Sequence, residues 1–259
     1  MAANRPIKIT HILAWLVLVF PALFGCNQSR DTIRHGDLSY SAPEIFGSGT
    51  AALVLAEAAA RGDVKEIDRQ TAAGADVNIV GKHEITPLWW AAWAENYQGF
   101  AALLEKGANP NCQRSERYPL MLLVAEIKDP RFLEAALKHG GDPNLRDRQS
   151  GETPLFPAVL HGYKAHIDLL LAAKAEVNAR LPVSGETLPM VAMARSDYQL
   201  VSRLLNMGAD PTLKLKSGQT LADFIAVSSV HANNNSDPWR AKVIEFLQSK
   251  GMTVKNASK

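Results

Sequence analysis

The feature that most constrains this chain is a period. Asn78, Asn111, Asn144 and Asn178, followed by Thr212, are separated by 33, 33, 34 and 34 residues. An opening triplet keeps step with them: Thr86-Pro87-Leu88, Tyr118-Pro119-Leu120, Thr153-Pro154-Leu155, Thr187-Leu188-Pro189 and Thr220-Leu221-Ala222. A unit of this length cannot bury its apolar face alone and does so by stacking on its neighbours, so the period predicts a solenoid. The 259 residues are therefore read as one elongated array rather than as two globular domains.

Residues 153–178 show the unit best. Thr153 is expected to cap a first helix whose opening turn tolerates Pro154, because the missing N–H would have lacked a helical partner there. Gly162 and Tyr163 interrupt the helix. Ile167, Leu169, Leu170 and Leu171 then return at helical spacing before polar Glu176 and Asn178. Gly74, Gly107, Gly140, Gly208 and Gly251 follow the second helices of the other units, whereas this one carries Lys174. The pattern resembles the ankyrin repeat family over residues 51–252, most specifically in Gly74-Ala75-Asp76-Val77-Asn78 and Thr86-Pro87-Leu88. The resemblance implies an all-α solenoid of about six helix-turn-helix units with projecting hairpin loops.

Along the chain, residues 51–78 form a first unit whose second helix carries Lys65, Glu66, Asp68, Arg69 and Gln70, the polar outer side an end cap needs. Further units occupy 86–111, 118–144, 153–178 and 187–212, and a last one runs from Thr220 to Gly251. One extra residue falls near Ile127 to Pro130, and Pro130 is expected to open the second helix there. An insertion at 231–238 lengthens the last turn, and residues 253–259 form a tail. Between units, the segments 79–85, 112–117, 145–152, 179–186 and 213–219 are the fingers of the ankyrin pattern. They carry Lys82, Arg114, Arg117, Arg146, Arg148, Arg180, Lys214 and Lys216 against Glu84, Glu116, Asp147, Glu152 and Glu186, a mildly basic edge.

At the N-terminus, Arg5 and Lys8 precede an apolar run from Ile12 to Phe24 that is short for a membrane span and reads as a secretory signal. Leu23-Phe24-Gly25-Cys26 resembles the lipobox of bacterial lipoproteins, with Phe24 departing from the usual small or branched residue. That resemblance implies a signal peptide over 1–25 and palmitate-type acylation of Cys26. Asn27, where an aspartate would retain the protein at the inner membrane, implies the periplasmic face of the outer membrane. An ordinary signal peptide and an uncleaved anchor remain open. Residues 26–50, polar and without a sustained period, read as a flexible tether spanning roughly 25–30 Å as a coil. With Cys26 acylated, Cys112 has no partner and no disulfide framework is possible.

No chemistry is legible in the sequence. It contains no G-x-S-x-G, no H-E-x-x-H, no phosphate-binding glycine loop and no pair of C-x-x-C motifs. The formal net charge of +2 does not argue for nucleic acid. His161 and His166 flank a turn and do not form a ligand pair, and His166 takes an apolar position. Cys112 aligns with Ala179 as a small packed residue. Trp89 and Trp90 align with core positions. Trp93, by the ankyrin pattern, falls on the concave face with Arg61, Glu126, His161, Arg195 and Ser228, and either packs or anchors a partner. The expected function is non-catalytic protein binding, with Trp93, Arg114, Arg117, Arg148, Arg195, Glu126 and His161 as candidate contacts and no cofactor or metal. The expected partners are a protein and, through Cys26, outer-membrane lipid. By analogy with periplasmic ankyrin lipoproteins, the chain resembles an immunity protein that neutralises an antibacterial effector such as a phospholipase. The alternative is a periplasmic scaffold or stress-protection protein for an endogenous enzyme.

Overall fold

A computed structural model describes residues 32–35, 38–114, 118–231 and 237–254. The signal segment, Cys26, the start of the tether, Arg117, the middle of the 231–238 insertion, the side chain of Ser228 and the end of the tail lie outside what is described. The described residues form thirteen α-helices and two short hairpins, an all-α solenoid. Strands β1 (Thr32–His35) and β2 (Leu38–Ser41) pair antiparallel. Helix α1 (Ala42–Phe46) follows. The repeats supply α2 (Ala51–Arg61) and α3 (Val64–Ala72), α4 (Pro87–Trp93) and α5 (Tyr97–Glu105), α6 (Leu120–Glu126) and α7 (Pro130–Lys138). They continue with α8 (Leu155–His161) and α9 (Lys164–Ala172), α10 (Leu188–Ala194) and α11 (Tyr198–Asn206), α12 (Leu221–His231) and α13 (Pro238–Ser249). First helices pack on first helices, α2 on α4, α6, α8 and α10 in turn, and second helices on second helices.

The helix starts follow from polar residues at the caps. Thr86 takes the Trp89 N–H on its hydroxyl at 3.2 Å. Asp63, Asn96, Asp129, Asp197 and Asp237 cap second helices in the same way. Pro130 opens α7 as expected, so the extra residue is absorbed in the turn before it. Thr153 departs from expectation. Helix α8 starts at Leu155 with Pro154 before it, and the buried Thr153 hydroxyl has no described hydrogen-bond partner.

The recurrent asparagines staple each repeat to the next, because the amide carries a donor and an acceptor on one short side chain. Asn78 accepts from Asn109 N at 2.7 Å and donates to Gly107 O at 3.2 Å. Asn111 does the same with Asp142 N and Gly140 O, Asn144 with Glu176 N and Lys174 O, and Asn178 with Asp210 N and Gly208 O. A backbone bend that presents its carbonyl and N–H at one spot in every unit requires this residue at this interval.

At the N-terminal end, only Ile67 of α3 is buried, while Lys65, Asp68 and Arg69 face solvent, as a terminal repeat requires. The tether expected over 26–50 is shorter than the sequence suggested. Helix α1 lies against the first repeat with Ala42, Ile45 and Phe46 buried, and the Phe46 ring meets Trp90 edge-on at 6.0 Å. Its apolar residues stand at i, i+3 and i+4, and Ser41 N–H donates to the Glu44 carboxylate at 2.7 Å, half of a capping box. The fingers are also less regular than hairpins. Strands β3 (Gln113–Arg114) and β4 (Tyr118–Pro119) pair, and a single bridge joins Arg180 and Thr187. The first finger instead contains a 3-10 turn at Lys82–Glu84.

Candidate protein-binding face

The ends of the first helices lie at corresponding places in successive repeats, so one side chain per repeat forms a row. Arg61, Trp93, Glu126 and His161 are the last residues of α2, α4, α6 and α8, and Arg195 caps α10. Only Arg61 and Arg195 are exposed; the other three are half-buried. Arg61 pairs with Glu57 at 3.4 Å.

Trp93 and Arg114 form one unit. The Arg114 guanidinium lies 5.1 Å from the Trp93 ring and 5.4 Å from Trp89, and the two indoles meet edge-on at 4.6 Å. Strand β3 carries Arg114 over the end of α4, where a cation is held by the faces of the rings. Trp89 and Trp90 are buried as the sequence suggested, and the Trp89 indole N–H has no described hydrogen-bond partner. Trp93 packs partly on the core and presents the remainder to solvent, with Arg114 covering it.

His161 and Arg195 form a second pair of neighbours. Arg195 reaches back to the preceding repeat and donates to Leu160 O at 3.3 Å, passing over Gly162, so it supports the end of α8 rather than standing free. Burial first, then the Arg195 cation and His166, push the His161 imidazole below its ordinary value and favour its neutral form. His161 also stacks on Tyr163 at 5.1 Å, and Tyr163 lies 5.0 Å from the His166 ring. The two histidines, read as unconnected across a turn, are bridged by this tyrosine. His166 itself is packed as expected, its Nε2 2.9 Å from Ile127 O.

Glu126 belongs to a third patch. Burial raises its carboxyl above the ordinary range, and the hydrogen bond from the Tyr118 phenol opposes that rise. The Tyr118 hydroxyl is in turn raised well above its normal value, by burial and by the Glu126 charge. Glu152 and Asp147 push it the same way, and the Glu152 carboxyl is itself raised to about 7 by burial, then by Glu126, Asp147 and Glu186. The edge counted as mildly basic therefore contains a half-buried acidic seam. Reading the fingers as a sum of charges missed it, although Ser150-Gly151-Glu152, Ser184-Gly185-Glu186 and Ser217-Gly218-Gln219 repeat at the spacing of the array and place their third residues in line.

Arg148 is exposed on the third finger and, like Arg114, is engaged in contacts of its own. The candidates thus divide among three neighbouring patches. Cys112 is packed, its sulfur 3.4 Å from the Thr86 hydroxyl, and burial raises its thiol to about 11, which keeps it protonated and unreactive at neutral pH.

Three comparisons with known proteins agree with this architecture. Residues 120–215 match a family model described as ankyrin repeats in three copies, and residues 83–115 match the single ankyrin repeat. Among curated proteins, the chain is 34% identical over 128 residues to Protein PhlB of Serratia liquefaciens, covering 49% of this chain and 56% of that one. It is 36% identical over 86 residues to Ankyrin repeat and SAM domain-containing protein 6 of Rattus norvegicus, covering 32% of this chain and 10% of that one. The chain thus matches about half or less of the length of these relatives. The ankyrin repeat domain of human ASB11 superposes with a TM-score of 0.57 at 23% identity, covering 78% of this chain and 85% of that one, a likeness of fold. Ankyrin repeats imply a protein-binding role, and the chain that bears them here is an all-α ankyrin-repeat solenoid.

Proposed function

We propose that this chain is a non-catalytic inhibitor: an immunity protein that binds and neutralises an antibacterial effector acting in the periplasm, such as a phospholipase. The observation that carries the binding part is the row of unlike side chains at the first-helix ends, with the Trp93–Arg114 unit at its most aromatic point. A repetitive scaffold that varies its chemistry at one place per repeat suits recognition of one protein surface, and a large indole partly open to solvent suits an anchor. A rigid array of this kind can cover an active-site mouth or block membrane docking without any chemistry of its own. Acylation of Cys26 would hold the array at the periplasmic face of the outer membrane, where a membrane-directed effector works.

Two experiments test the reading. In competition with an isogenic strain that secretes its own effectors, a deletion strain is expected to lose viability, wild-type protein to restore it, and Trp93→Ala to restore it poorly. Equal survival of the deletion strain would sink the immunity role. Separately, Cys26→Ser is expected to abolish labelling by a fatty-acid analogue and to move the protein out of the outer-membrane fraction. Equal labelling of both forms would remove the anchor.

A further inference from the structure

The two ends of the array are built differently. A terminal repeat needs a polar outer side, and helix α3 of the first repeat supplies one whose charges pair: Arg69 with Glu66 at 2.7 Å, and Asp68 with Lys106 of the next repeat at 2.7 Å. Helix α13 of the last repeat buries Arg240, Val243 and Leu247, yet beside that buried side it alternates aromatic residues with lysines. Trp239, Lys242, Phe246 and Lys250 are spaced three, four and four, which sets them on one stripe of the helix. The Lys242 ammonium lies 4.0 Å from the centre of the Trp239 ring, and that of Lys250 lies 5.7 Å from the centre of Phe246. Both lysines are exposed and both rings are half-buried. Among the described residues neither lysine has a carboxylate partner.

Charge gathers at the same end. Residues 237–259 hold Arg240, Lys242, Lys250, Lys255 and Lys259 against Asp237 and Glu245, a net +3 in a chain whose formal net charge is +2. Asp237 is engaged at the helix start, where it accepts the Trp239 N–H at 2.7 Å. Glu245 stands about a quarter turn from the middle of the stripe.

We propose that this stripe docks the C-terminal end of the array on an anionic phospholipid surface, with Trp239 and Phe246 among the headgroups and Lys242 and Lys250 on lipid phosphates. This goes beyond the binding role and rests neither on it nor on acylation of Cys26. A lysine lying on a ring keeps its charge uncompensated. Its stem shields the ring in water, and at a bilayer the ammonium moves to phosphate and leaves the ring to the headgroup region. Tryptophan beside lysine is the pairing that a membrane interface favours, and each such lysine adds attraction to an anionic leaflet. Carboxylates fixed on a protein surface are best met by the rigid fork of arginine, whereas flexible point charges suit mobile phosphates, and the exposed cations of this stripe are lysines. No helix among the described residues is long and apolar enough to cross a membrane, so the contact is peripheral.

The test uses the full chain carrying Cys26→Ser, so that no acyl chain contributes, with vesicles of phosphatidylcholine alone or with about one third phosphatidylglycerol. Sedimentation is expected to show binding about tenfold tighter to the anionic vesicles, weakening as salt is raised. Lys242→Gln combined with Lys250→Gln is expected to lower that affinity roughly tenfold. Lys138→Gln combined with Lys164→Gln, an equal charge change at exposed sites on α7 and α9, should leave it unchanged. The apolar run near the N-terminus is common to all these chains, so the comparison between pairs does not depend on it. In the chain labelled with fluorinated tryptophan, the Trp239 resonance, assigned by its loss in Trp239→Phe, is expected to broaden on vesicles with spin-labelled headgroups, while that of the buried Trp90 stays sharp. Equal binding to neutral and anionic vesicles overturns the proposal, as does equal loss in the two lysine pairs or a Trp239 resonance that stays sharp. Binding to polyglutamate and not to vesicles assigns the stripe to an acidic protein and overturns it too.

Discussion

Lys174 follows α9 in the left-handed conformation, φ 64°, where the other repeats place glycine, as at Gly107 (φ 87°) and Gly208 (φ 94°). Its Cβ makes that backbone costly. Lys174→Gly is expected to raise stability by roughly 0.5–1 kcal/mol, a net gain despite the greater freedom of glycine in the unfolded chain, read as a higher urea midpoint at unchanged slope. A second residue-scale expectation concerns His166, which donates from Nε2 to the buried Ile127 carbonyl where the extra residue bends the chain. His166→Leu should cost about 1–3 kcal/mol by leaving that carbonyl unpaired. Burial lowers the His166 pKa, against the pull of the Ile127 carbonyl and Asp129. The folded state thus binds this proton less readily than the unfolded chain, so stability is lost as the pH falls below about 6.5, and the variant should lack that part of the acid sensitivity in chemical denaturation.

At the scale of elements, the asparagine staples decide how one repeat sits on the next. Asn111→Ala removes two bonds to the following repeat and is expected to cost about 1–2 kcal/mol, since both groups are partly served by water once freed. Circular dichroism on heating should show a lower Tm with helix content unchanged at 25 °C. The staples were legible because a side chain that bonds a neighbouring backbone must recur with the repeat. Helix α5 shows what was not. Gly99 packs so near α2 that a Cβ would stand 1.9 Å from Ala59 O, and nothing in the local pattern distinguishes this glycine from one in a turn. Helix α1 lies between these cases: its Ser41-x-x-Glu44 signature and apolar spacing were present, but five residues among polar neighbours carry too weak a period to outweigh composition.

For the whole molecule, the contact between Trp93 and Arg114 changes how binding should be tested. Arg114 lies on the indole, so replacing either disturbs both, and their effects on affinity should be strongly non-additive in a double-mutant cycle. Trp93→Ala is expected to raise the dissociation rate from a captured protein partner, at a cost of about 2 kcal/mol, with association unchanged. Arg148, exposed on the third finger, is the cleaner probe of steering: Arg148→Glu should alter the association rate, and more so at low salt. Surface plasmon resonance at two salt concentrations separates these outcomes. An unchanged dissociation rate for Trp93→Ala would move the anchor elsewhere on the array.

The sequence by itself determined the array: its period, the places of its helices, the polar first repeat and the absence of any familiar catalytic motif. These are properties that each unit must carry locally, because every repeat meets the same neighbour in the same way. Tertiary structure alone decided which side chains of different fingers meet. Glu152 and Glu186 are 34 residues apart and read as two charges in two loops, yet stacking lays their fingers side by side, so that a Cβ on Gly151 would stand 2.3 Å from Pro182. Arg195 read as a candidate contact on the concave face, and only the fold shows its guanidinium donating to Leu160 O of the preceding repeat. A charge acquires its meaning from burial and from what stands opposite, and in a solenoid what stands opposite is one period away in the chain, where local sequence does not look.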